Sequence, residues 1–459
     1  MVEKRIQNTA VDISPNANNE FKVEEIGEEI QLQQPENTSQ GIEIVEEADG
    51  GVTLDYDPKQ KVSEGDYFAN LAEFMEDDLL EKLSSDLQKN FEDDKNSRAD
   101  WEKTYKDGLD LLGFKYEERS KPFAGAAGVT HPLLAEAVTQ FQAQAYKELL
   151  PPGGPVRTEI IGVPTAEVEQ QAERIKEFMN YQITCEMGEF DPELDQLLFH
   201  LPLAGSAFKK IYYDSTLERA VSKFVPAEDL VVPYFITDLE SCSRITHVVK
   251  MKHNDLRKNQ VSGFYRDIDL SGGRVDTSDI KEKQDELSGI EQVSFTEDEH
   301  NLLEMHVDLD LPGFEDMGAN NQKTGIMVPY IVTLDEDSGE ILSIYRNWSQ
   351  GDPLRKKKEY FTHFKFLPGL GFYGFGLIHM LGGLSRTATA ALRQLVDAGT
   401  LSNLPAGFKA RGLRIRDDDE AINPGEWRDV DAPGGNLRES LMPLPYKEPS
   451  ATLFSLLGF

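Results

Sequence analysis

Apolar residues begin to recur at regular intervals near Asp66. In ANLAEFMEDDLLEKLSSDLQKNFEDD, Leu71, Phe74, Leu79, Leu83 and Leu87 predict a first helix. Trp101, Tyr105, Leu109 and Leu112 line one face of a second, starting near Ser97. A small-residue loop, Gly125 to Gly128, leads to Pro132, which suits a first helical turn. The face Leu133, Ala137, Phe141 and Ala145 that follows stops at Pro151–Pro155. A fourth helix is expected from about Ala166 to Met187, with Glu167 and Glu169 in its first turn, where the helix dipole favours carboxylates.

After Pro192 the period shortens. AFKKIYYD, RAVSKFV, DLVVPY and SRITHVVKMK are β-branched or aromatic runs separated by turn residues and predict strands, so the fold class is α+β. PYIVTL and EILSIYRN form a hairpin about Asp335–Gly339, where Gly339 can take positive φ. Residues 265–320 hold about 16 acids against 4 bases and read as a solvated acidic insertion. Residues 1–65 read as a disordered acidic tail by the same signature.

The longest pattern lies near the end. Leu377, Leu381, Leu384, Ala388, Ala391, Leu395 and Ala398 follow a 4-3-4-3-4-3 spacing over a helix of about 26 residues, roughly 39 Å. Such a seam of Leu and Ala serves an ordinary core helix and a contact between identical subunits equally well. Past Pro405, AGFKARGLRI, EWRDVDAP and LMPLP predict short strands around the acidic turn Asp417, Asp418, Asp419 and Glu420. SATLFSLLGF starts another helix, so the natural product is expected to continue by a helix antiparallel to 377–402.

Composition narrows the function. With 82 acidic and 47 basic residues in 459, the net charge of −35 excludes a domain that grips nucleic acid by neutralising phosphates. The apolar runs are too short to span a bilayer, so no membrane role is expected. Cys185 and Cys242 form no framework and read as buried, inert thiols. The phosphate-loop, HExxH, CxxC and GxSxG motifs are missing, no catalytic residue is assigned, and no cofactor or metal is expected. Gly369, Gly371, Gly374 and Gly376 read as a flexible lead-in to the long helix rather than a nucleotide loop. The clusters Asp308, Asp310, Glu315, Asp316 and Asp417–Glu420 do not follow the calcium-loop spacing. The eight histidines read as packing or surface residues.

One local reversal of charge stands out: Arg386, Arg393, Lys409, Arg411, Arg414 and Arg416 face only Asp397 between Phe375 and Arg416. They are candidates for DNA-facing or intersubunit contacts, with a solvated helix face as the plain alternative.

The succession DWEKTYKDGLDLLG, KPFAGAAGVTHPLLAEAVTQFQAQAYKELLPPGGPVRT, VPAEDLVVPY, ITHVVKMKHNDL and GFYGFGLIHMLGGLSRTATAALRQLVDAGTLSNLPAG resembles portal proteins of tailed bacteriophages, particularly the large portals of short-tailed phages of the P22 type. The likeness runs from about Asp66 to Phe459. It implies a non-enzymatic homo-oligomeric ring, usually a dodecamer, at one capsid vertex of the virion, assembled in the host cytoplasm. Through it double-stranded DNA would be packaged and ejected without sequence specificity. Implied partners are the terminase large subunit, major capsid and scaffolding proteins, and tail adaptors. The implied parts are a wing over 66–370, a first stem helix over 371–403, a clip over 404–447 and the start of a second stem helix over 448–459, with the crown beyond. An acidic conduit with sparse basic points fits sliding DNA, because each neutralised phosphate would have to be released again at every step. Two other classes remain open: a metal-dependent phosphodiesterase using the acidic clusters, and an acidic structural adaptor without a channel.

Overall fold

The computed structural model describes residues 66–403 apart from 124, 215–216, 271–277, 290–298 and 318–321. It also describes 448–458 and the strands 43–46, 52–55, 407–409, 414–415, 430–431 and 441–443. The chain divides into two units, 1–62 and 63–459. In the first, β1 (Glu43–Glu46) and β2 (Val52–Asp55) pair as an antiparallel hairpin; the rest of the expected tail lies outside the described residues.

The second unit is α+β. Its larger sheet is an antiparallel meander in the order β5 (Leu230–Val231), β6 (Arg244–Lys252), β7 (Glu299–Leu309), β8 (Val328–Asp335) and β9 (Ile341–Arg346). The smaller has β3 (Ser206–Asp214) between β4 (Arg219–Val225) and β10 (Phe361–Lys365). Gly339 closes the β8–β9 hairpin at φ 73°.

Helix α1 (Asp77–Ser97) lays Leu80, Leu87 and Phe91 over the meander's Leu303, Met305, Val332 and Leu334. It starts later than its apolar spacing predicts, because Leu71–Glu73 is a separate 3-10 turn. Asn70 causes the break: its Oδ1 accepts from Ala72 N and Ile344 N, and its Nδ2 donates to Leu342 O, which ties the turn to β9.

Helices α2 (Ala99–Leu109), α3 (Leu133–Leu149) and α5 (Phe190–Ala204) enclose the other core with β3 and the start of the long helix. Trp101, Tyr105, Leu109 and Leu112 are all buried there. On α3 the buried face is Leu134, Ala135 and Val138, rotated from the expected one. Helix α4 (Ala166–Tyr181), capped by Thr165, continues into a π-helical turn, Gln182–Glu186. Helix α6 (His253–Val261) follows β6 and buries Leu256.

The expectation of a solvated insertion over 265–320 does not hold. Helix α7 (Asp279–Ser288) buries Ile280 in the core, and β7 is the central strand of the meander, buried on both faces. Its polar residues go inside because they are partnered. Lys210 Nζ of β3 lies 2.7 Å from both Glu304 carboxylate oxygens, and His306 Nε2 lies 2.9 Å from Oε1. Burial alone would raise the Glu304 pKa, but Lys210 and His306 outweigh it and hold the carboxyl well below its usual range. This clamp joins the two sheets. Nearby His247 is pushed down to about 3 by burial and by Lys210, so it packs as a neutral ring.

Asp229, half-buried beside Glu228, is the opposite case. Burial, then the Glu228 charge, pushes its carboxyl up to about 7. A folded pKa above the unfolded one contributes stability that is complete below about pH 4 and is lost as pH rises through about 7. Asp229→Asn is therefore expected to unfold at higher denaturant than wild type at pH 8, by on the order of 1–2 kcal/mol, with the gap closing near pH 4. Urea titrations at the two pH values check it; an equal gap at both would refute the assignment.

Candidate functional site

The longest helix, α8 (Leu377–Asn403), and the segment leading into it form the best-defined candidate site. The glycines before it are not a flexible hinge, as their spacing had implied. A Cβ on Gly374 would fall on the Gly205 carbonyl oxygen, and one on Gly376 on that of Leu203. Gly205 itself, at φ 89°, closes α5 against the same backbone. Gly374 N donates to Ser206 Oγ (2.8 Å), Phe366 N to Gly205 O (3.0 Å) and Phe375 N to Leu367 O (2.9 Å). His363 stacks against Phe208 and Phe372, and burial pushes its pKa down to about 3. These glycines permit backbone-to-backbone packing that fixes where α8 begins.

The side of α8 turned to the body is Ile378, Gly382, Ser385 and Thr389, one residue on from the predicted seam. Ile378 fills the space over Gly108 of α2, where any Cβ would collide with it. Thr389 Oγ1 accepts from His131 N (3.0 Å). Of the predicted seam, Ala391 is buried, Leu377, Leu381, Ala388, Leu395 and Ala398 are half-buried, and Leu384 is 62% exposed. Met380 and Val396 are exposed as well. The helix therefore carries two stripes about 100° apart, one buried on its own chain and one half-buried for most of its length and exposed at Leu384.

Its two arginines differ. Arg393 is held within the chain: Nε donates to Val129 O (2.8 Å), and an η-nitrogen donates to Glu117 (2.7 Å) and Thr130 Oγ1 (3.3 Å). Arg386 stays 61% exposed, 3.8 Å from Asp107. Asp397 accepts from Ala127 N (2.6 Å) and lies 3.9 Å from Arg119, so the small-residue loop is tied down on α8. Gly128 there has no room for a side chain against the Glu117 carbonyl. Between this loop, α7 and α8 lies an open cleft of about 1140 Å3. Its cations are paired, Lys283 with Asp110 and Lys115 with Glu286, so its wall is of mixed charge.

Lys409 and Arg414 fall on β11 (Gly407–Lys409) and β12 (Arg414–Ile415). These strands pair with β14 (Leu441–Pro443) and β13 (Val430–Asp431). Arg411, Arg416 and Asp417, Asp418, Asp419 and Glu420 lie outside the described residues. Helix α9 (Ala451–Gly458) touches α8.

In the other acidic cluster, Glu315 pairs with Lys323 (2.5 Å) and Asp316 with Arg355. Among the described residues no group of three or more His, Cys, Asp or Glu side chains is arranged to hold a metal ion. Cys242 is buried, its Sγ–H donating to Arg244 O (2.7 Å) and its pKa pushed up to about 11, burial being the main cause. Cys185, expected to be buried, is exposed, because the π-helical turn that carries it has no core above it.

Two features escaped the sequence reading. The basic run Arg355–Lys358 has Lys357 Nζ donating to the Leu239 and Cys242 carbonyls. Arg98, at the α1–α2 junction, is 2% exposed and fully hydrogen-bonded. A run of four cations in so acidic a chain was a readable signal; a single arginine between two helices was not.

No known protein family matches the chain, and no curated protein matches it. Among the described residues no helix is long and apolar enough to cross a membrane.

Proposed function

We propose that this chain is a subunit of a portal-like ring: a non-enzymatic homo-oligomer that conducts double-stranded DNA through a viral capsid vertex and docks the packaging motor and tail components. The observation that carries the reading is the double stripe of α8. One face packs on the subunit's own body through Ile378, Gly382, Ser385 and Thr389, while the Leu/Ala seam beside it is half-buried for most of its length and leaves Leu384 exposed. An apolar seam about six turns long, on a helix fixed at its start by backbone packing, is suited to an identical neighbour. The net charge of −35 supports passage of DNA in place of capture, since an acidic wall forms few phosphate contacts to break. In this reading the β11–β14 and β12–β13 pairs belong to the clip and α9 to the second stem helix.

Native mass spectrometry of the full-length gene product tests the proposal. One dominant closed oligomer of identical subunits is expected, and a purely monomeric species would refute it.

A further inference from the structure

Two histidines and an aspartate at one end of the larger sheet form a chain that runs from the core to the surface. His253 opens α6, and its Nδ1 lies 3.2 Å from Nε2 of His300 on β7. His300 is fully buried, and its own Nδ1 stands 3.5 Å from Oδ1 of Asp335, the last residue of β8. Asp335 is buried as well. Its Oδ2 accepts from Ser338 N (3.0 Å) and Ser338 Oγ (2.7 Å) in the β8–β9 turn, which leaves Oδ1 to His300.

These partners fix where the protons sit. A bare Nδ1 on His300 would set its lone pair against the Asp335 carboxylate, two acceptors facing each other out of water. His300 therefore carries its proton on Nδ1, and its Nε2 accepts from His253 Nδ1–H. A neutral imidazole has one proton, so Nε2 of His253 is left with a bare lone pair. His253 is only half-buried, and among the described residues that nitrogen has no hydrogen-bond partner. Helix α6 begins without a side-chain cap, and its first-turn N–H groups favour an anionic group beside them. The one acid of that turn, Asp255, is paired with Lys258 (2.8 Å).

We propose that His253 is a nucleophilic histidine whose Nε2 takes a phosphoryl group from a small phosphoryl donor. Phosphoramidate shows the balance. The Nε2 lone pair forms the new bond to phosphorus, and the donor's P–N bond breaks with its electron pair going to the protonated amine, which leaves as ammonia. As Nε2 is substituted, Nδ1 becomes acidic, and its proton passes to Nε2 of His300. The imidazolium so formed is held against the Asp335 carboxylate. This is the logic of a nucleophile, base and carboxylate relay, with an imidazole in the nucleophile's place. Such a site works within a single subunit, whether or not copies assemble.

Full-length protein treated with phosphoramidate at mildly alkaline pH tests it by intact mass, peptide mapping and phosphorus NMR. One phosphoryl group per chain is expected, on His253 Nε2, with loss of the modification in His253→Gln and in His300→Phe. Because His300→Phe also strands Asp335, nitrogen NMR of the histidine rings in untreated wild type supplies a readout that needs no variant: a proton on His253 Nδ1 and none on Nε2. A proton on Nε2 instead, a phosphoryl group placed on other histidines in preference to His253, no modification at all, or a His300→Phe chain modified as fast as wild type would each overturn the proposal.

Discussion

Leu384→Asp is expected to leave the folded subunit intact and to stop its assembly. Leu384 is 62% exposed, so an aspartate there stays hydrated in the monomer, and unfolding should shift by no more than about 0.5 kcal/mol. In a close helix–helix contact between copies the same carboxylate would be buried without a partner, which costs several kcal/mol and is repeated at every interface. Ala388→Trp should act in the same direction by bulk, since the half-buried alanine leaves no room for an indole beside a neighbouring helix. Ser385→Asp makes the contrast. Ser385 is fully buried against the subunit's own body, so its replacement should lower the stability of the monomer itself. Mass photometry with chemical denaturation of the three variants separates the two stripes. Loss of assembly in Leu384→Asp with an unchanged denaturation midpoint supports the open stripe as an interface; unaltered assembly would remove it.

Arg98→Met is expected to destabilise the subunit by about 3–5 kcal/mol. One η-nitrogen donates to Ala227 O (3.1 Å), Leu230 O (2.9 Å) and the Tyr373 hydroxyl (2.9 Å), and the other to Glu228 O (2.5 Å). Nε pairs with Glu102 at 2.8 Å. The guanidinium lies beside Trp101 and Tyr373, whose rings stack at 4.4 Å. Methionine would fill much of the volume but take the guanidinium donor from the Ala227 and Glu228 carbonyls and leave Leu230 O with the Tyr373 hydroxyl alone (3.1 Å). Tyr373 sits in the segment leading into α8, so the loss should loosen the start of that helix too. Urea denaturation gives the stability, and hydrogen exchange at 374–380 reports the loosening. A change under about 1 kcal/mol would mean that the network is replaceable by water.

The α+β class and most elements were legible because their periods are strong: the strands 206–252, the hairpin about Gly339 and the long helix follow from spacing alone. What failed did so for identifiable reasons. Strand β7 was hidden by composition. Its acids and histidines count as solvated until Lys210 is known to stand opposite Glu304, and that pairing joins residues 94 positions apart. The buried stripe of α8 was missed by one residue because Leu and Ala dominate the neighbouring stripe. Gly382, Ser385 and Thr389 are chosen for closeness to the body, and only the shape of α2 and α3 reveals it. The glycines at 374 and 376 looked flexible since the chain that crowds them, 203–205, is remote in sequence. The face of α4 could have been read from 168, 172, 175 and 179; that none of the described residues buries it could not.

Electron microscopy of the intact gene product tests the central claim most directly. The account predicts closed rings of identical subunits around a central channel wide enough to pass duplex DNA. Monomers, or oligomers without a through-channel, would contradict it.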